Sequence, residues 1–294
     1  MTGEQKKEAD DMEQPQAAVE EIKAPAKEKE KEKDDATELL KAMAFAAVIA
    51  LVIRSFLFEP FNIPSSSMFP TLLVGDYLFV KKWTYGYSRY SFPLDIIRFQ
   101  GRVMEAMPER GDVVVFRQPK KAGIDYIKRV IGLPGDTVQV KQGLLYLNGK
   151  VVPRDFKGTE NVPDEEGFRV FSKYVETLPP DEKNPEGVKH YIYEISDDDS
   201  LDNTPEFVVP PDHFFAMGDN RDRSADSRLP RELGYVPIEN LIGPASVLFF
   251  STEGAPNDCN SEGMFAALSN TFCKVGGYAK AIRFSRIFKS VNSI

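Results

Sequence analysis

Asp125-Tyr126-Ile127-Lys128-Arg129-Val130-Ile131-Gly132-Leu133-Pro134-Gly135-Asp136 runs on into Thr137-Val138-Gln139-Val140, then Leu144-Leu145-Tyr146-Leu147 and the pair Asn148-Gly149. Short runs rich in β-branched and aromatic residues, separated by a Pro-Gly turn and by Asn-Gly, predict strands joined by tight turns. Outward from this stretch, Val113-Val114-Val115-Phe116 and Tyr77-Leu78-Phe79-Val80 lie upstream. Phe214-Phe215-Ala216-Met217 and residues 246–250 lie downstream. The expectation is a mainly β body built from residues 59–152 and 213–251, with no internal repeat.

Upstream of residue 59 the pattern changes. Residues 42–53 are all apolar, and residues 39–58 contain only Lys41, Arg54 and Ser55 as polar members. Twenty such residues suffice for a membrane-spanning helix, and Lys41 and Arg54 sit near the ends, where long cationic side chains reach water. A cleavable leader fits poorly, because the preceding region is long and acidic and no small-x-small site follows. One transmembrane helix is therefore expected over 39–58. Residues 1–38 hold 13 acids against 7 lysines. The alternating charges of residues 27–35 offer almost nothing to bury, which predicts a disordered charged tail. Lysines gather before the helix, whereas Arg54 is followed by no base until Lys81. This asymmetry places the tail in the cytoplasm and the body outside.

Residues 153–212 form another block, with 16 acids, 6 bases and eight prolines. That composition predicts an acidic, Pro-rich insertion. Asp197, Asp198, Asp199 and Asp202 lack the glycine and terminal glutamate of an EF-hand loop, so a solvated loop is expected there and no metal. The formal charge of the whole chain is −8, and nothing in its distribution suggests a nucleic-acid footprint. Two histidines argue against a multi-histidine metal centre, and two cysteines cannot staple 294 residues. In the C-terminal extension, 252–294, Cys259 and Cys273 fall on the exported side, where a disulfide between them is expected. Phe284, Ile287, Phe288 and Val291 recur at helical spacing among Lys280, Arg283, Arg286 and Lys289. They predict a basic amphipathic helix, packed on the body or lying on anionic lipid.

The common signatures of hydrolases, nucleotide-binding and zinc enzymes (G-x-S-x-G, S-x-x-K, H-E-x-x-H, Walker A, G-x-G-x-x-G) are absent. Three segments dense in unusual residues remain. In Pro64-Ser65-Ser66-Ser67-Met68-Phe69-Pro70-Thr71 the serines read either as a loop or as a nucleophile that needs a base. Lys128, set among Tyr126, Ile127, Val130 and Ile131, is either an exposed strand residue or a buried amine. Burial would lower its pKa and let it accept a proton. Arg129 cannot take that role, since a guanidinium stays charged. Residues 218–228, from Gly218-Asp219-Asn220-Arg221 to Ser224-Ala225-Asp226-Ser227-Arg228, read as a surface turn or as a hydrogen-bonded polar cluster.

Together with Arg110-Gly111-Asp112-Val113-Val114-Val115-Phe116, these segments resemble, in content and in order, the four motifs of bacterial type I signal peptidases, also called leader peptidases. The resemblance covers residues 59–250. It implies a signal-peptidase-like coiled antiparallel β-sheet and a membrane-bound endopeptidase that removes signal peptides from exported preproteins after Ala-x-Ala. It also implies Ser67 as nucleophile, Lys128 as general base, and Ser65 with the Ser67 backbone N–H as oxyanion hole. Ser224 would hold the lysine, Asp226 and Arg228 would organise their loop, and Phe61, Ile63, Val115 and Ile127 would line shallow substrate pockets. No cofactor or metal is implied. The expected partners are signal peptides delivered by the export machinery, and membrane lipid at the bacterial inner membrane. Two departures stand out: Ser66 occupies a position where the family often has glycine, and Arg223 one where it often has an amide. The alternatives are a pilin-type or conjugative processing protease of the same family, or a membrane-anchored module that binds without cutting.

Overall fold

The computed structural model describes residues 24–92, 99–164, 167–181, 184–253 and 281–291, with side chains from Thr37 onward, Asp164 excepted. Two compact units are present, Met1–Ala50 and Leu51–Ile294. Helix α1 (Ala24–Phe56) crosses the division. Its span Thr37–Phe56 has a mean hydropathy of 2.0 and is long and apolar enough to cross a membrane. The helix starts at Ala24, so part of the segment expected to be disordered continues it. Alanine, lysine and glutamate are strong helix formers, and opposite charges three residues apart recur along 27–33. The helix stops before Glu59-Pro60, because the residue preceding proline is driven out of the helical region.

Among the described residues sixteen strands follow: β1 (Phe58–Asn62), β2 (Asp76–Lys81), β3 (Tyr87–Ser88), β4 (Arg102–Val103), β5 (Val113–Arg117), β6 (Asp125–Gly132), β7 (Thr137–Lys141), β8 (Leu144–Leu147), β9 (Lys150–Val151), β10 (Arg154–Asp164), β11 (Gly167–Leu178), β12 (Val188–Glu194), β13 (Phe207–Val208), β14 (His213–Met217), β15 (Val236–Pro237) and β16 (Leu241–Ser251). The chain is mainly β, as expected. A seven-stranded antiparallel sheet runs in the order β1-β2-β16-β5-β6-β14-β15. Pro60 is tolerated because β1 lies at its edge. Register shifts in β16 and β14 mark bulges that curl the sheet. At Gly243 a side chain would run into the backbone of Lys81, so glycine is what lets β16 cross β2 closely.

The unbroken apolar run Val113-Val114-Val115-Phe116 follows from this curl. Val113 and Val115 join a core with Ile63, Met68, Leu72, Leu78 and Val80. Val114 and Phe116 join a second with Val130, Phe214 and Leu241 on the other face. A strand buried on both sides has no polar face to alternate with. Past the turn at residues 133–136, β7, β8, β9 and β13 form a separate sheet, and Asn148 and Gly149 (φ 52° and 73°) close its hairpin as their sequence predicts.

The block expected to be a Pro-rich insertion is largely a three-stranded sheet, β10-β11-β12. Asp202, expected in a solvated loop, is 1% exposed, because its carboxylate accepts the Asp199 N–H and turns inward. Near the C-terminus, where helical spacing predicts an amphipathic helix, residues 282–290 hold no α-helix and fold instead around a 3₁₀ turn, Phe284–Arg286. Phe288 has a φ of 64°, and Ser290 bridges to Val247. Arg283 and Arg286 are engaged by the body: Arg286 Nη2 and Nε lie 2.7 and 3.1 Å from the buried Asp76 carboxylate, Arg283 Nη2 lies 3.4 Å from it, and it also accepts Ser251 Oγ–H. Cys259 and Cys273 lie outside the described residues. Asp76→Ala leaves two guanidiniums without their carboxylate and is expected to cost about 3 kcal/mol in urea denaturation.

Candidate active site

The site is assembled from three distant segments. Ser66–Met68 form a 3₁₀ turn whose residues are all buried, beyond the end of β1. Lys128 sits in β6, paired with Val114 of β5. Residues 218–228 leave β14 and return beneath the serine turn. The Lys128 Nζ donates to Ser67 Oγ over 2.6 Å, and Ser65 Oγ lies 3.4 Å from the same hydroxyl. Lys128 is 4% exposed and Ser67 9%.

Burial strips water from the Lys128 ammonium and lowers its pKa to about 8, although Asp226 and Asp219 pull the other way. For Asp226 itself burial is unfavourable. Arg228, which contacts both carboxylate oxygens at 2.9 and 3.0 Å, outweighs that and keeps it below the usual carboxylate range. Asp226 also accepts the Gly218 N–H at 3.0 Å, closing the base of the loop. A near-neutral amine hydrogen-bonded to a buried hydroxyl can take up that hydroxyl's proton, which water-exposed lysine cannot do at neutral pH.

These groups open onto a cleft of about 370 Å³. Phe61, Ile63, Val115 and Ile127 all line it, as do Ser65, Ser67 and Lys128. Asn62, Pro64, Ile124, Asp125, Tyr126, Arg223 and Ala225 complete its walls. The expected site residues are thus brought together, with one difference: the Ser224 hydroxyl is buried without a hydrogen-bond partner, lying against Gly218 instead of on the lysine.

Several supporting residues were not singled out by the sequence reading. The Asn220 backbone N–H donates to Ser67 O at 3.2 Å and its side chain to Ser66 O at 3.1 Å, fixing the serine turn from below. A side chain on Gly218 would collide with Ser224 Oγ and with the backbone carbonyl of Ser67. Arg129 holds Asp219 in a buried two-point pair, at 2.8 and 2.6 Å, and Thr71 donates to Asp219 at 2.6 Å. Arg221 grips Glu176 of β11 in a second buried pair, with His190 Nε2 3.4 Å from the same carboxylate. Gly218, Asp219, Asn220 and Arg221 are consecutive, and that adjacency was the available signal.

A hydroxyl held against a buried, weakly basic amine in an apolar cleft, on a curled antiparallel sheet, is the equipment of a serine hydrolase that uses no histidine. Residues 36–250 match the family described as Signal peptidase, peptidase S26, and the chain belongs to that family of serine peptidases. Signal peptidase I of Rickettsia typhi (strain ATCC VR-144 / Wilmington) is 41% identical over 261 residues, 86% of this chain and 93% of the relative. That of Rickettsia prowazekii (strain Madrid E) is 42% identical over 261 residues with the same coverage. A crystal structure of a signal peptidase I from Enterococcus faecalis V583 is 26% identical and covers 47% of this chain and 97% of its own, with a TM-score of 0.27. The family and its relatives support signal-peptide cleavage as the activity.

The buried amine has a measurable cost. Below pH 8 the folded protein carries an ammonium in the core, a penalty of about 3 kcal/mol relative to an ordinary lysine. That penalty fades as pH rises from 8 towards the unfolded value. Lys128→Met is therefore expected to be more stable than the wild type at pH 7, by up to about 3 kcal/mol in urea denaturation, with the advantage shrinking above pH 8. Gly218→Ala is expected to fold with a displaced Ser67 turn and to lose at least tenfold in kcat.

Proposed function

We propose that this enzyme is a membrane-bound endopeptidase that cleaves signal peptides from exported preproteins after Ala-x-Ala, with Ser67 as nucleophile and neutral Lys128 as general base. The observation that carries the reading is the 2.6 Å contact between a lysine amine lowered to about 8 and a buried serine hydroxyl. Ser67 Oγ attacks the scissile carbonyl as its proton passes to Lys128 Nζ. Ser65 Oγ–H and the Ser67 N–H donate to the developing oxyanion. Protonated Lys128 returns the proton to the leaving amine, and water, deprotonated by the same amine, releases the acyl group. Ser224 holds the lysine in this cycle once its hydroxyl turns from Gly218 onto the amine, and Asp226 and Arg228 hold the loop. No cofactor or metal enters these steps.

The cleft walls supply the preference for small residues. Ile63 and Val115 are packed into the core and Phe61 and Ile127 pack against it, so the pockets are shallow and cannot deepen without disturbing it. The preprotein adds as an extended strand between the end of β1 and the start of β6. Helix α1 spans the bacterial inner membrane once, with the N-terminus cytoplasmic and the catalytic body on the other side. Ten residues separate Phe56 from Ser67, at most roughly 40 Å of chain, which keeps the nucleophile near the membrane surface where cleavage sites emerge. Partly exposed aromatic rings on β1, β2, β16 and the turn after β2 support contact with lipid. Phe79 stacks on Phe249 at 4.3 Å, and Tyr77 and Phe58 with Trp83 extend the cluster.

The test is cleavage of a preprotein carrying Ala-x-Ala by the detergent-solubilised full chain, beside Ser67→Ala and Lys128→Ala. Both variants are expected to lose at least 1,000-fold in kcat/KM while remaining folded. Unchanged cleavage by either would overturn the dyad. Because Lys128 acts as the free amine, kcat/KM is expected to rise with pH and level off above about 8, with one proton lost. A profile flat from pH 6 to 9 would refute lysine as the base.

A further inference from the structure

Glu194 at the end of β12, Asp202 in the loop beyond it and Asp222 in the 3₁₀ turn Arg221–Arg223 bring one carboxylate oxygen each to within 4.8 Å of one another. Each carboxylate is held in place through one oxygen. Asp222 Oδ2 accepts the backbone N–H groups of Ile195 (2.6 Å) and Ser196 (3.2 Å), Asp202 Oδ2 accepts that of Asp199 (2.6 Å), and Glu194 Oε1 meets Arg154 Nη1 at a long 3.4 Å. The second oxygens of Glu194 and Asp222 are buried and have no hydrogen-bond partner. Glu194 is 2% exposed, so a missing partner there leaves the oxygen facing neither protein donor nor open solvent.

The neighbouring cations make their short contacts elsewhere, although Arg221 and Arg154 still favour the charged form of Glu194 and Arg228 that of Asp202 and Asp222. Arg221 makes its two-point pair with Glu176, Arg228 with Asp226, and Arg154 makes its shorter contact, 2.7 Å, with Asp197. Burial is the largest influence on all three carboxyls and raises each, Asp202 to about 6, with like charge from within the group adding to Glu194 and Asp202. Three carboxylates that each bring one oxygen to within 4.8 Å of the others, each oriented by a donor and two of them with a buried, unpartnered oxygen, form an arrangement by which proteins present hard oxygen ligands to a cation. Spacings up to 4.8 Å are what two oxygens about 2.4 Å from a shared calcium ion reach. Asp222 is only half-buried and opens a path from solvent.

We propose that Glu194, Asp202 and Asp222 bind a calcium ion that joins the loop after β12 to the loop carrying Ser224. Asp222 lies two residues before Ser224, and its carboxylate already receives the amides of Ile195 and Ser196, so an ion here fastens both segments at one point. Calcium is favoured over magnesium because the ligands come from three separate segments in an irregular set, whereas magnesium demands near-octahedral geometry and keeps its waters. The site takes no part in the chemistry at Ser67 and Lys128, and its test stands apart from that assignment.

The experiment is titration of the chelator-washed, detergent-solubilised full chain with calcium chloride, followed by calorimetry and by thermal unfolding. The expected result is one saturable site and a Tm raised by about 5 °C or more at saturation. Asp202→Asn and Glu194→Gln are expected to abolish both responses and, without calcium, to match or exceed the wild-type Tm, since each removes one of the mutually repelling charges. Calorimetry on the wild type needs no variant to fold, and absence of binding up to 10 mM calcium would overturn the proposal. An equal response to magnesium would overturn the assignment to calcium. A Tm that climbs as pH falls through 6, with no response to calcium, would show that a shared proton closes the cluster.

Discussion

The buried pair between Arg129 and Asp219 is the contact on which the rest of the site depends. Arg129 follows Lys128 in β6, and Asp219 begins the loop that supports Ser67, so this two-point ion pair sets the distance between the strand carrying the amine and the turn carrying the hydroxyl. Neither partner has water to fall back on. Burial works against the Asp219 carboxylate, and the adjoining guanidinium more than compensates, holding it below the ordinary carboxylate range. Arg129 also donates to Gly111 O at 2.7 Å and Thr71 donates to Asp219, so the pair is satisfied on all sides and its geometry is fixed.

The same loop binds the β10-β11-β12 sheet to the body. Asp219 O accepts the Tyr193 N–H at 2.9 Å, Asn220 bridges to Tyr193, and Arg221 reaches Glu176. The acidic block that composition marks as an insertion therefore supplies support for the serine turn at one remove. Its charge belongs mainly to its surface, while Glu176, His190 and Glu194 are buried. Electrostatics and architecture point the same way: the acids that count are those facing the loop.

Much of this was legible in the chain, and the limits have physical causes. The Asn148-Gly149 hairpin and the doubly buried Val113-Val114-Val115-Phe116 strand were readable because turn chemistry and apolar runs are local. Ser67 and Lys128 were readable as candidates, but only tertiary structure decides whether a lysine is buried, which is the whole of its chemistry. β10 was hidden because it is largely exposed, so charged residues occupy positions where apolar alternation would have announced a strand, and β11 was hidden because most of its positions are half-buried or buried and polar residues break its apolar pattern. Phe284 and Phe288 misled through spacing: they recur four apart, yet both are exposed and Phe288 has a left-handed backbone, because the segment is held by Asp76 and by pairing with β16. Gly218 acts by lacking a side chain and Asn220 through its amide to Ser66 O, and neither role shows until the loop is packed beneath the serine turn.

The separation of Ser67, Lys128 and Ser224 along the chain makes the enzyme's own maturation a timing device. While the protein is being made, the serine turn emerges first, the lysine sixty-one residues later and the supporting loop about ninety after that. Until β14 and the loop close over it, the lysine is hydrated, keeps its ordinary basicity and stays protonated near neutrality. On the proposed mechanism, a partly synthesised chain holds its serine without a base, and the pair is complete only when the last long-range contacts bury the amine.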